Sequence, residues 1–286
     1  MSRTAIATVL VVLGCVTAGP AVAAFAMDRE LTDQDRYLEA VTPLVDDPAV
    51  HQAAADRAEA AILERTGELP PEAQPLIETA VAQAMESPSF EAAWVEFNRQ
   101  AHPQVLAILR DESGAVSAEG DGLVLDLGSI VDEVRAQLPQ QISLPEFDAS
   151  VEIVSRADLQ QAAPAFTLLE DLSLILPIVA IVLLVGGLAL SARRAGTLVV
   201  AGIGVALSML LVAVAVWLFR DQAMTRSPEP EVAGALYDAL TASLTTMLWV
   251  TLTVGVVAAA LGAVLSVVMR RRDRHPQPAW QQRYER

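Results

Sequence analysis

The chain has 286 residues, 53% of them hydrophobic, a mean hydropathy of +0.41 and a formal net charge of −16. So much apolar surface exceeds what one soluble core uses, so water is not its only solvent, and the negative charge argues against a nucleic-acid partner. The lone cysteine, Cys15, excludes an intramolecular disulfide and a Cys-rich metal site.

Residues 1–27 begin with Arg3 and run uncharged from Thr4 to Met27, which predicts an N-terminal transmembrane anchor. The same stretch, with Ala21, Ala23, Ala24 and Ala26 near its end, also describes a secretory signal peptide cleaved near Ala23 or Ala26. The uncharged run is longer than the usual signal core, so the uncleaved anchor is preferred. Val12-Leu13-Gly14-Cys15 faintly resembles a lipoprotein processing site, but an apolar stretch continues to Met27, so Cys15 reads as a small residue inside a membrane helix.

Residues 28–171 carry 29 acidic residues against 8 arginines, a net charge of −21. This length supports one domain with its own core, and the acids read as solvated helix faces. Thr32 is expected to cap a helix that turns Leu38, Val41 and Leu44 inward, with Tyr37 beside them, before Asp46-Asp47-Pro48 ends it. A second helix runs from Pro48 to about Arg65 on Val50, Ala54, Ala58, Ala61 and Ile62, and Gly67 stops it. Leu76, Ile77, Val81 and Met85 mark a third, and Phe90, Trp94, Phe97 and Ala101 a fourth after Ser87-Pro88-Ser89. Beyond Arg110, glycines punctuate the short apolar runs Ala115–Val116 and Leu123–Leu127. With Val151–Val154 as a third strand they predict a small antiparallel sheet, and Ile130–Leu138 reads as a helix between strands. From about Ala157 the chain returns to helix.

Three further spans are expected at 172–192, 197–219 and 242–269, joined by a link at 193–196 and a segment at 220–241 and followed by a tail at 270–286. Leu172–Ser191, Thr197–Phe219 and Thr241–Met269 contain no ionisable side chain, which argues against an ion pump or antiporter. Only helices satisfy their own backbone in lipid as open segments. The fold class is therefore mainly α, a four-helix transmembrane region plus an α-rich domain with the small sheet. Arg193, Arg194, Arg270, Arg271, Arg272 and Arg274 put the link and tail in the cytoplasm, with both termini there and residues 28–171 extracytoplasmic. Gly186-Gly187, Gly204 with Ser208, and Gly255 with Ala259 and Gly262 form small faces for packing within the chain or between copies. Val232, Leu236, Tyr237 and Leu240 extend the last helix outward from Pro230.

Trp94, Asn98 and His102 recur every four residues and line one stripe of the fourth helix, a candidate polar pocket. No HExxH spacing accompanies them, so His102 is read as hydrogen-bonded in the core rather than as a ligand or catalyst. Asp111-Glu112 and Glu119-Gly120-Asp121-Gly122 read as a turn of solvated acids in preference to a calcium loop. With no GxSxG, P-loop, GxGxxG or Cys-His arrangement, no catalytic, cofactor-binding or metal-binding residue is assigned and no cofactor is expected.

Asp33-Gln34-Asp35-Arg36-Tyr37 with Leu44-Val45-Asp46-Asp47-Pro48-Ala49-Val50, and the Trp94, Asn98, His102 pattern, resemble uncharacterised actinobacterial four-span integral membrane proteins with an acidic extracytoplasmic domain between spans 1 and 2. The resemblance covers most of the chain and implies an envelope protein with no catalytic assignment. The function expected is that of a non-enzymatic plasma-membrane protein whose outer domain binds, senses or scaffolds. Its partners are the lipid bilayer and either an envelope protein or further copies of itself. The alternatives are a subunit of a transport complex laid out like FtsX and MacB type permeases and, more weakly, an outer-face enzyme.

Overall fold

The computed structural model describes residues 3–66, 74–110, 122–126, 150–227 and 229–272. In chain order the elements are α1 (Arg3–Thr32), α2 (Gln34–Val41), a 3₁₀ turn (Thr42–Asp46), α3 (Pro48–Thr66), α4 (Gln74–Met85), α5 (Pro88–Leu109), β1 (Gly122–Asp126), β2 (Ser150–Ser155), α6 (Arg156–Leu190), α7 (Arg194–Arg226) and α8 (Pro230–Arg272). They form two compact units, one of residues 1–25, 172–215 and 244–286 and the other of 26–171 and 216–243.

The mainly α class needs one correction, to the small antiparallel sheet. Among the described residues no three-stranded sheet exists. Helix dominates, and the strand content is a single two-stranded antiparallel ribbon of β1 and β2, irregular between Leu123 and Val124. An isolated pair of strands does not make a stable layer of a fold. The expected strand at 115–116 and helix at 130–138 lie outside the described residues.

Helix starts follow local chemistry. The cap of α2 is Asp33, whose carboxylate accepts from Asp35 N and Arg36 N at 3.1 and 3.2 Å. Thr32, the cap expected from sequence, belongs to the last turn of α1, and its hydroxyl donates back to Asp28 O at 2.8 Å. Ser87 caps α5 by accepting from Phe90 N, and Pro88 occupies the first turn, where its missing N–H has no helical partner to lose.

In the second unit α3, α4 and the start of α5 enclose a core built on Ala58, Ile62, Ile77, Val81, Met85 and Phe90. Ile62 and Ile77 are fully buried, which contributes about 1.5–3 kcal/mol each. A second cluster holds Val41, Leu44 and Val50 against Val232, Ala235, Ala239 and Leu240 of α8, and Trp94 packs against both clusters. Ion pairs join elements farther out: Arg220 grips Asp238 through two bonds of 2.7 and 2.6 Å, Arg110 reaches Glu170 at 2.7 Å and Arg57 reaches Glu229 at 3.0 Å.

Four helices are long and apolar enough to cross a membrane: Arg3–Thr32, Leu159–Leu190, Arg194–Thr225 and Pro230–Met269. The chain is thus consistent with a multi-pass integral membrane protein. In the first unit α1 is the central helix, because 44% of its most apolar stretch is buried, against 17%, 17% and 11% for α6, α7 and α8. Glycines set the spacing. A Cβ on Gly187 would lie 2.6 Å from Val11 Cγ2, and one on Gly204 2.5 Å from Cys15 Sγ, so α6 and α7 close on α1 where they have no side chain. Gly202 and Gly255 do the same between α7 and α8, where a Cβ on Gly202 would meet Gly255 O at 2.5 Å. Cys15 is buried and its thiol donates to Ala201 O at 3.6 Å. Pro20 interrupts the hydrogen-bond ladder of α1, and next to it Gly19 N–H donates to Ser208 Oγ at 3.0 Å, a tie from α1 to α7.

Candidate functional site

The stripe on α5 is the candidate polar pocket, and its position follows from helical geometry, since residues four apart stand one above the other on one face. The structure brings Trp94, Asn98 and His102 to a common purpose. Each engages a different part of the chain that precedes α3.

Trp94 Nε1–H donates to Val41 O at 3.0 Å, at the end of α2. Asn98 Oδ1 accepts from the Tyr37 hydroxyl at 3.0 Å, while its Nδ2 donates to Trp94 O at 2.8 Å. His102 Nε2 lies 2.9 Å from Leu31 O in the last turn of α1. A carbonyl oxygen only accepts, so Nε2 carries the proton in this contact. The imidazole also stacks on the Tyr37 ring, with centroids 4.6 Å apart and planes 29° apart. Asn98 and His102 are 5% and 6% exposed, deep enough that an unmade bond would cost stability. Burial pushes the Tyr37 phenol above its usual range, which favours the neutral form that donates to Asn98.

A further contact belongs to the same arrangement. Pro103 sits inside α5 and has no N–H, so the carbonyl of Arg99 loses its helical donor. The side chain of Gln34 takes that place, with Nε2 donating to Arg99 O at 2.7 Å. Gln34, Tyr37, Leu31 and Val41 were not singled out for this site by sequence reasoning. Pro103 is the signal that could have pointed to an open carbonyl at Arg99, but nothing in the pattern names its donor.

A cavity of about 120 Å³ adjoins the stripe, with Leu31, Tyr37, Asn98, His102, Leu106 and Phe166 among its lining residues. It offers the space of a few water molecules at about 30 Å³ each, small for an organic substrate. His51, the other histidine of this segment, lies edge-on to Phe90 at 5.9 Å. Among the described residues no three His, Cys, Asp or Glu side chains are grouped so as to hold a metal ion. The carboxylates of the candidate calcium turn, at 111, 112, 119 and 121, lie outside the described residues, and its last glycine, Gly122, opens β1.

The arrangement therefore acts as a clasp: four side-chain hydrogen bonds and one ring stack lock α5 to α2 and to the end of α1. Glu96, on the exposed side of α5, is bonded by Gln100 at 2.7 Å and Arg99 at 2.8 Å, which hold its carboxyl below the usual range. Comparison with family models, with curated proteins and with solved structures finds no match.

Proposed function

We propose that this chain is a four-span plasma-membrane protein with both termini in the cytoplasm, and that its acidic outer segment, residues 28–171, serves binding, envelope sensing or scaffolding rather than catalysis. The observation that carries this reading is the clasp. The side chains best suited to chemistry in this segment, Trp94, Asn98 and His102, are bonded to Val41, Tyr37 and Leu31. They act as ties between elements. What remains for partners is the acidic surface, which attracts cationic partners and repels anionic ones.

The resemblance to actinobacterial envelope proteins supports the same reading. The residues that carry it, Gln34, Tyr37, Trp94, Asn98 and His102, are in this chain those that meet in the clasp. Retention of α1 as an uncleaved span is part of the proposal, supported by its central place among α6 and α7. The arginines beside the second and fourth spans support the orientation.

The test is reversible crosslinking at the outer face of intact cells, followed by purification of the full chain and mass spectrometry of what accompanies it. Envelope proteins or further copies of this chain are the expected result. A dedicated ATPase recovered in stoichiometric amount would replace this reading with that of a transport-complex subunit, the layout shared with FtsX and MacB type permeases.

A further inference from the structure

The clasp leaves one hydrogen-bonding atom of His102 to be accounted for. Nε2–H donates to Leu31 O at 2.9 Å, and in that tautomer Nδ1 carries a lone pair and is an acceptor. Among the described residues no N–H or O–H donates to Nδ1, since the Leu31 bond is the one hydrogen bond of this side chain. His102 is nonetheless almost fully buried, and among the described residues no sealed side-chain nitrogen or oxygen lacks a partner. Nδ1 is therefore not sealed but borders open space. The open space that His102 lines is the cavity of about 120 Å³ enclosed by the end of α1, α2, α5 and α6.

What sits against Nδ1 must donate a hydrogen bond and must be small. A hydrocarbon has no proton to give. A cation finds no carboxylate in the lining, and an anion finds no arginine there. Water fits, because it takes about 30 Å³ and is held in a buried site by two to four polar partners. Two such partners line the cavity beside His102, namely Asn98 and Tyr37. Asn98 gives one Nδ2 proton to Trp94 O and keeps a second to give. The Tyr37 oxygen donates its proton to Asn98 Oδ1 and keeps its lone pairs to accept. The rest of the lining, with Leu31, Leu106, Leu109 and Phe166, is apolar, so only the end at the stripe is suited to be wet.

We propose that this cavity holds a resident water molecule that donates to His102 Nδ1 and is shared with the polar side chains of Asn98 and Tyr37. The two bonds of the imidazole then support each other. A donor at Nδ1 keeps the ring proton on Nε2, and that is the proton Leu31 O accepts. The water is thus a working part of the clasp, joining α1, α2 and α5 through solvent where side chains do not reach. This inference rests on the reading of the Trp94, Asn98 and His102 stripe as a clasp.

The test is water-edited solid-state NMR of the full, isotope-labelled chain in phosphatidylcholine bilayers. It reads the tautomer of His102 from its two ring-nitrogen shifts, and the rate at which magnetisation passes from water to the ring. The expected result is a proton on Nε2 and a ring that gains water magnetisation several times faster than the side chains of Ile62 and Ile77, which are also fully buried. Ala101→Val, whose added methyl groups enter the cavity that Ala101 lines, slows this transfer to the level of the isoleucines. An Nε2–H ring as dry as Ile62 and Ile77 in the wild-type chain overturns the water and leaves the clasp standing, even if Ala101→Val fails to fold. A ring proton on Nδ1 overturns both, since such a ring has no proton to give Leu31 O. Undiminished transfer in a folded Ala101→Val chain overturns the placement of the water in this cavity.

Discussion

Removing one end of the bond between Tyr37 and Asn98 tests the clasp most directly. Asn98→Ala takes away the acceptor 3.0 Å from the Tyr37 hydroxyl. The phenol O–H is then left in a partly buried position without its partner, at a cost of about 1–3 kcal/mol. Tyr37→Phe removes the donor and keeps the ring stacked on His102, so its cost is smaller, about 1 kcal/mol. The double variant has no orphaned group at this bond. Its cost falls short of the sum by about 1 kcal/mol, the coupling expected of residues in direct contact. The assay is amide hydrogen exchange across α2 and α5 in the full chain in lipid nanodiscs, which reads the free energy of local opening. A 2 kcal/mol loss in Asn98→Ala speeds exchange about thirtyfold in both helices. Strictly additive effects in the double variant, or faster exchange in α5 with α2 unaffected, would refute the clasp.

The raised Tyr37 phenol predicts a dependence on alkaline pH. Because its folded value lies above its unfolded one, the neutral phenol stabilises the fold below about pH 10 and that contribution is lost as pH rises through the folded value. The urea midpoint of the wild-type chain should therefore fall above about pH 10, and that of Tyr37→Phe should fall less. Gly187→Ala should destabilise the membrane unit by about 1–3 kcal/mol, since its Cβ would strike Val11 and approach Ala7 O, whereas Gly186→Ala meets nothing within 4 Å and should be neutral in thermal denaturation. Ser208→Ala, which deletes the acceptor of Gly19 N–H, should cost about 0.6 kcal/mol and at most about 1.7 in the same measurement. Intact-mass analysis of protein purified from its membrane should find residues 1–27 present, and a mass corresponding to cleavage near Ala23 or Ala26 would refute retention of α1.

Composition made the spans legible, because lipid leaves no choice but uninterrupted apolar helix, and α6, α7 and α8 lie over the expected stretches. The spacing of Trp94, Asn98 and His102 also revealed a shared face. It could not reveal their partners, since Leu31 O and Val41 O are backbone atoms that any residue supplies. Thr32 and Asp33 are both good caps, and the choice went to Asp33 because α1 runs on to Thr32 instead of ending at the edge of the apolar stretch. The small-residue faces left open whether they packed within the chain or between copies. Gly187, Gly204, Gly255 and Gly262 are used within it, and only where a side chain would clash does the distinction show. The expected sheet rested on glycine-punctuated apolar runs, a signal that turns and ribbons produce as readily as a sheet, and its outcome is the ribbon of β1 and β2.

The tie from Gly19 to Ser208 spans 189 residues of sequence. At a synthesis rate of roughly 5–20 residues per second, α1 is made about 10–40 s before the hydroxyl that accepts from Gly19 N–H exists. Throughout that interval α6 is the one helix of the membrane unit that can close on α1, with Gly187 against Val11, and the contact at Gly19 waits for Ser208. The contacts of the first helix are thus completed only when α7 arrives, and a chain truncated before α7 leaves Gly19 N–H without its acceptor. One hydrogen bond between the first and third spans therefore separates a chain that ends before Ser208 from one that continues past it.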